Sequence, residues 1–117
     1  MSRFLMIGAA QLGPIARDEP RASAVKRMID LLQQAADHHC ELVVFPESFV
    51  PGYPDWVWRR APMQDGDWYA RLVANAVHVE SADLDPVRDA ARDAGAWVAL
   101  GVTERSRSDT LYNTVVY

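Results

Sequence analysis

At 117 residues, half of them apolar, the chain is long enough for one modest hydrophobic core and too apolar for a disordered segment. A net charge of −4 and a pI near 5.2 argue against a dominant nucleic-acid or anionic-membrane surface, which needs concentrated positive charge, and the arginines are scattered along the chain. The single cysteine, Cys40, cannot close an internal disulfide, so nothing calls for an oxidising compartment and the cytoplasm is the expected location.

The first element is a strand over Phe4 to Gln11, a run of bulky and small apolar residues without helical spacing, closed by Leu12-Gly13-Pro14. It is too short to cross a bilayer and leads straight into a turn, so it reads as a buried strand rather than a signal peptide. From Pro20 to about His38, the positions Val25, Met28, Ile29, Leu32, Ala35 and Ala36 recur at helical spacing, and Asp18-Glu19-Pro20 supplies acidic and proline start signals. Leu42 to Phe45 follows as a short continuous apolar run, the pattern of a parallel strand covered on both faces, which completes a β-α-β unit.

Pro46 to Asp67 is a long loop rich in proline and glycine, with Trp56 and Trp58 between them; long ordered loops after strand ends are frequently functional. A second helix is expected from Trp68 to about Val77. A third is signalled by Asp85-Pro86, with Gly95 as its C-terminal stop. Trp97 to Val102 reads as a buried strand and Leu111 to Tyr117 as another, with Arg105 to Asp109 as the polar turn of a hairpin. No internal repeat or linker divides the chain, so residues 1–117 are expected to be one piece of an α/β domain. A chain ending on an apolar β run would leave a sticky unpaired edge, which is unusual for a complete domain.

Glu47 is the residue that points to chemistry. It ends the buried run Val43-Val44-Phe45-Pro46-Glu47, and a carboxylate at the C-terminal end of a parallel strand lies in the crevice where open α/β sheets bind ligands. It is a candidate general base; the competing role is to cap the next turn or pair with an arginine. His38 and His39 are adjacent and do not face one metal together, His78 is isolated, and no metal site or cofactor is expected. Arg59-Arg60 is too short for a nucleic-acid patch.

Phe45-Pro46-Glu47 followed by Pro51-Gly52-Tyr53-Pro54 resembles the nitrilase superfamily of carbon–nitrogen hydrolases, and more narrowly its nitrilase branch. The opening strand ending Ala10-Gln11, the aromatic Trp56-Val57-Trp58 loop, Gly101-Val102-Thr103-Glu104-Arg105 and Leu111-Tyr112-Asn113-Thr114 follow in the order that family uses. The resemblance implies an α-β-β-α sandwich, of which this chain would be the N-terminal part, truncated after the fourth or fifth strand. It also implies a Glu-Lys-Cys triad hydrolysing nitriles to carboxylic acid and ammonia through a covalent intermediate on cysteine, without a cofactor. Glu47 matches the glutamate.

The family's lysine and cysteine would both fall beyond Tyr117. The one lysine, Lys26, precedes Glu47 on the first helix, and Cys40 suits a small half-buried helix-end residue better than a nucleophile. The resemblance also puts Tyr53 near the glutamate, where anchoring the Pro-Gly-Tyr-Pro turn is its alternative role. Trp56 and Trp58 are candidates for lining an apolar substrate cleft, against packing or subunit contact, and Asn113 for substrate binding, against a structural hydrogen bond. Amidase or N-carbamoyl-amino-acid hydrolase activity is the alternative within the superfamily, and a non-catalytic half-domain the alternative outside it. The expected partners are a small nitrile or amide and further copies of the chain, with neither nucleic acid nor membrane.

Overall fold

The computed structural model describes residues 3–12 and 19–117; Gly13, Pro14 and Asp18 of the expected turn and helix start lie outside them. The elements are β1 (Ile7–Ala9), α1 (Arg21–Asp37), β2 (Leu42–Val44), α2 (Gly66–Asn75), α3 (Asp85–Ala94), β3 (Trp97–Arg105) and β4 (Leu111–Val116), with short 3-10 turns at Asp55–Trp58, Pro62–Gln64 and Ala82–Leu84. They make a mixed α/β fold around a four-stranded sheet of order β1-β2-β3-β4. The first three strands are parallel and β4 returns antiparallel to β3.

The amphipathic pattern of α1 buries Met28, Leu32 and Ala35 as expected, with Ala24 completing the stripe, while Val25, Ile29 and Ala36 of the expected face are only half-buried at its margin. That stripe packs beside α3 and joins Val43, Leu100, Val102, Leu84 and Val87 in a single core. Pro20 occupies the N-cap in extended conformation, which suits a residue without an N–H to donate. Gly95 ends α3 in the left-handed region at φ 63°, where a side chain would be strained. Leu32 is fully buried, so Leu32→Ala should destabilise the fold by about 2–5 kcal/mol, read as a lower urea midpoint with an unchanged slope.

The helices cover one face of the sheet, and the other is covered only locally, at Gly101 and Thr103. Paired residues share a face, and the registers put Ile7, Val44, Gly101, Thr103, Asn113 and Val115 on the side opposite Val43, Leu100 and Val102. On that open side Ile7 is 53% exposed, Val44 40% and Val115 55%. The expectation that the first strands are buried on both faces therefore needs correction. β1 is an edge strand with one neighbour, and α1 and α3 shield only the other side. Trp97, expected in a buried strand, is exposed at the start of β3.

β1 is confined to Ile7–Ala9, shorter than the expected Phe4 to Gln11, and two later boundaries differ from the sequence reading for one reason. β3 runs three residues further than the apolar pattern, to Arg105, because chain segments outside the regular strands pair along its edge. Val50 bridges to Val102 and Val77 to Glu104, both in parallel. Val77 donates to Thr103 O at 2.8 Å and accepts from Arg105 N at 2.8 Å, so the chain leaves α2 after Asn75 instead of continuing the helix to Val77. Arg21 fastens this segment to α1: its guanidinium donates to Ala76 O at 2.9 Å and to Asp83 at 2.8 Å. Among the described residues no helix is long and apolar enough to cross a membrane.

Candidate active site

Glu47 is delivered by a bulge in the β2–β3 ladder. Phe45 N donates to Ala99 O at 2.8 Å, and the next bond of the series runs from Val50 N to Gly101 O at 3.3 Å. The chain from Phe45 to Val50 thus takes five steps where β3 takes two, and the excess arches out with Glu47 near its crest. Ser48 takes the left-handed conformation at φ 45° and is buried. Its hydroxyl accepts a hydrogen bond from the Thr103 hydroxyl at 3.4 Å.

The arch lies against the open face of the sheet at Gly101. A Cβ built there would stand 2.3 Å from Pro46 O, 2.8 Å from Glu47 Cα and 2.9 Å from Ser48 N. Such separations are impossible for non-bonded atoms, so the absence of a side chain at 101 is a condition of the arch. A glycine within an apolar strand is itself the sequence signal for close backbone approach, and sequence reasoning left it unread.

Asn113 completes the support. It stands opposite Thr103 in the β3–β4 register, and its side-chain Nδ2 donates to Glu47 Oε1 at 2.6 Å. None of the ion pairs among the described residues involves Glu47.

Glu47 and Asn113 line an open cleft of about 240 Å³ whose other walls are chiefly apolar, including Tyr53, Val57, Trp58, Leu72 and Tyr112. Trp58 Nε1 donates to the Tyr53 hydroxyl at 3.3 Å, which links the two aromatic side chains on this wall. Trp56 faces a different, smaller cavity of about 60 Å³ with Trp68, Arg71 and Asn75, and its ring lies 5.8 Å from that of Trp68. Of the sequence candidates, the fold brings Glu47, Tyr53, Trp58 and Asn113 to one cleft, while Trp56 lines the neighbouring cavity behind its wall.

Neither Lys26 nor Cys40 reaches this cleft. Lys26 is on the exposed side of α1. Cys40 precedes β2 and Glu47 follows it, so the two sit at opposite ends of that strand; the thiol lies beside Gly8 and lines a separate hollow with Leu31 and Ala35. Among the described residues no group of three histidine, cysteine or acidic side chains is arranged to hold a metal.

A strand-end carboxylate, propped by an amide and facing an apolar cleft, can take and return a proton; among the described residues it has no thiol or ammonium beside it. Comparison with known proteins gives the arrangement its context. The model of the carbon-nitrogen hydrolase family matches residues 6–117. The chain belongs to that family. Among the carbon-nitrogen hydrolases it is similar to an arylacetone-specific nitrilase of Alcaligenes faecalis, with 38% identity over 101 residues, covering 86% of this chain and 28% of the relative. An arylacetonitrilase of Hypocrea virens is 30% identical, over 97% of this chain and 33% of the relative. A cyanide hydratase of Gibberella baccata is 36% identical, over 75% of this chain and 24% of the relative. The chain thus spans about a third or less of the length of these carbon-nitrogen hydrolases.

Proposed function

We propose that this chain forms the N-terminal, general-base part of a nitrile-hydrolysing enzyme, with Glu47 as the base and the thiol and ammonium supplied by sequence beyond Tyr117. The observation that carries this reading is the Glu47 arch: an exposed carboxylate held over Gly101 by backbone fit and by Asn113, at the mouth of an apolar cleft. The apolar walls suit a nitrile on a hydrophobic arm, in keeping with the arylacetonitrilase relatives. Tyr53 and Trp58 shape that wall, while Trp56 supports it from behind.

In this mechanism Glu47 takes the proton from the thiol as sulfur adds to the nitrile carbon, and the proton passes to the nitrile nitrogen to give a thioimidate. A first water, deprotonated by Glu47, adds to that carbon, and the nitrogen leaves as ammonia with a thioester remaining on sulfur. A second water, activated in the same way, releases the carboxylic acid and restores the thiol. The ammonium stabilises the negative charge that builds on each tetrahedral species. Two waters enter and one ammonia and one acid leave. The 117 residues alone lack the nucleophile and are inactive, and the open sheet face, with Ile7, Val44 and Val115, is the surface that drives association of isolated copies.

The test is ammonia and acid release from an arylacetonitrile such as phenylacetonitrile. The protein from its natural reading frame should turn it over with equal amounts of both products, and Cys40→Ser should leave that rate within about twofold, since Cys40 is remote from the cleft. Turnover by residues 1–117 alone, lost on Cys40→Ser, would overturn the proposal.

A further inference from the structure

Asn113 stands out because its contact with Glu47 joins residues 66 positions apart, and because it ends on only one of the two carboxylate oxygens. A carboxylate ion can only accept hydrogen bonds, so the amide must present its NH2 group, as it does at 2.6 Å from Oε1. Oε2 has no hydrogen-bond partner among the described residues. The donor is well founded: Asn113 belongs to an antiparallel ladder paired in unbroken register from Leu100↔Val116 to Arg105↔Leu111. The acceptor sits on an arch, whose side chain would otherwise be free to rotate.

We propose that Asn113 is a positioning residue for the base and not a substrate ligand: it pins Oε1 and thereby assigns proton transfer to Oε2. This rests on the functional reading above and deepens it. The geometry divides the carboxylate's work between its two oxygens. β4 is held by the unbroken ladder and Glu47 projects from a bulge outside it, so the hydrogen bond ties the reacting side chain to the ladder. Thr103, the register partner of Asn113, donates to the hydroxyl of Ser48, so the two residues of one rung hold the glutamate's carboxylate and its neighbour on the arch.

The kinetic test uses the protein from its natural reading frame. Asn113→Ala should lower kcat for arylacetonitrile hydrolysis by about 10²-fold, the usual cost of misplacing a reacting group by an ångström or so, with little change in KM. In a Glu47→Gln background the same substitution should cost nothing further, because its effect passes through Glu47. Asn113 is exposed, so the variant is expected to fold; Asn113→Ser is the second variant should Ala perturb the strand. A raised KM with unchanged kcat, or losses that multiply in the double variant, would overturn the proposal in favour of a substrate contact. A crystal structure of Asn113→Ala supplies an arm independent of activity: Glu47 should leave its present rotamer, and a carboxylate that stays in place counts against the inference. Absence of nitrile turnover in the unsubstituted protein would instead remove the functional reading, leaving the crystallographic arm to decide whether Asn113 holds Glu47.

Discussion

Glu47→Gln is expected to lower nitrile hydrolysis by the full-length protein by at least about 10³-fold while leaving its thermal unfolding nearly unchanged. The two halves of that expectation have separate causes. The substitution keeps the shape of the side chain, and its carbonyl oxygen can still accept from Asn113, so the arch and the cleft retain their geometry. What is lost is basicity: an amide does not take a proton from a thiol or from water at any accessible pH. Glu47 is exposed and takes part in no ion pair among the described residues, so its replacement should move stability by no more than about 0.5 kcal/mol. Steady-state kinetics and a melting curve on the same preparation check both. A variant that melted well below the parent would assign Glu47 a structural role, and one that retained full turnover would remove it from the chemistry.

The second large effect is expected at a residue with no functional group. Gly101→Ala should destabilise the fold by about 1–3 kcal/mol and lower turnover by about 10²-fold or more. The methyl group would meet three backbone atoms of the arch, at Pro46, Glu47 and Ser48, none of which can rotate away as a side-chain tip could. Relief requires the arch to lift from β3, which stretches the Val50–Gly101 and Thr103–Val50 hydrogen bonds and carries Glu47 away from Asn113. Gly95→Ala is the informative comparison: that glycine is also constrained, by its φ of 63°, but nothing lies near its missing Cβ and it is far along the chain from the site. It should cost stability of about 1 kcal/mol with turnover preserved. Equal effects of the two substitutions on turnover per folded molecule would show that the close approach at Gly101 does not hold the base.

Much of this arrangement was legible in the sequence because its signals are local. The helical periodicity of α1, the proline and glycine at the ends of α3, and the polar turn between β3 and β4 each depend on residues within a few positions of one another. Glu47 was legible for the same reason, since the apolar run before it and the prolines after it mark a strand end. The misreadings arose where distant segments meet. The second helix was placed two residues late because nothing near Val77 announces that it will pair with Glu104. Trp56 and Trp58 were indistinguishable as candidates, since only the 3-10 turn at Asp55–Trp58 decides which ring faces the cleft.

The sequence by itself determined the element order, the α/β class, the family resemblance and Glu47 as a candidate base, because periodicity, helix-end residues and a strand-end carboxylate are carried by neighbouring residues. Only the tertiary structure decided what holds that carboxylate in place. Gly101, Thr103 and Asn113 lie 54, 56 and 66 positions after Glu47, and become its surroundings only once β3 and β4 are paired in their particular register. A shift of one residue in that hairpin would turn Asn113 to the helix-covered face of the sheet, since successive strand residues point to opposite sides.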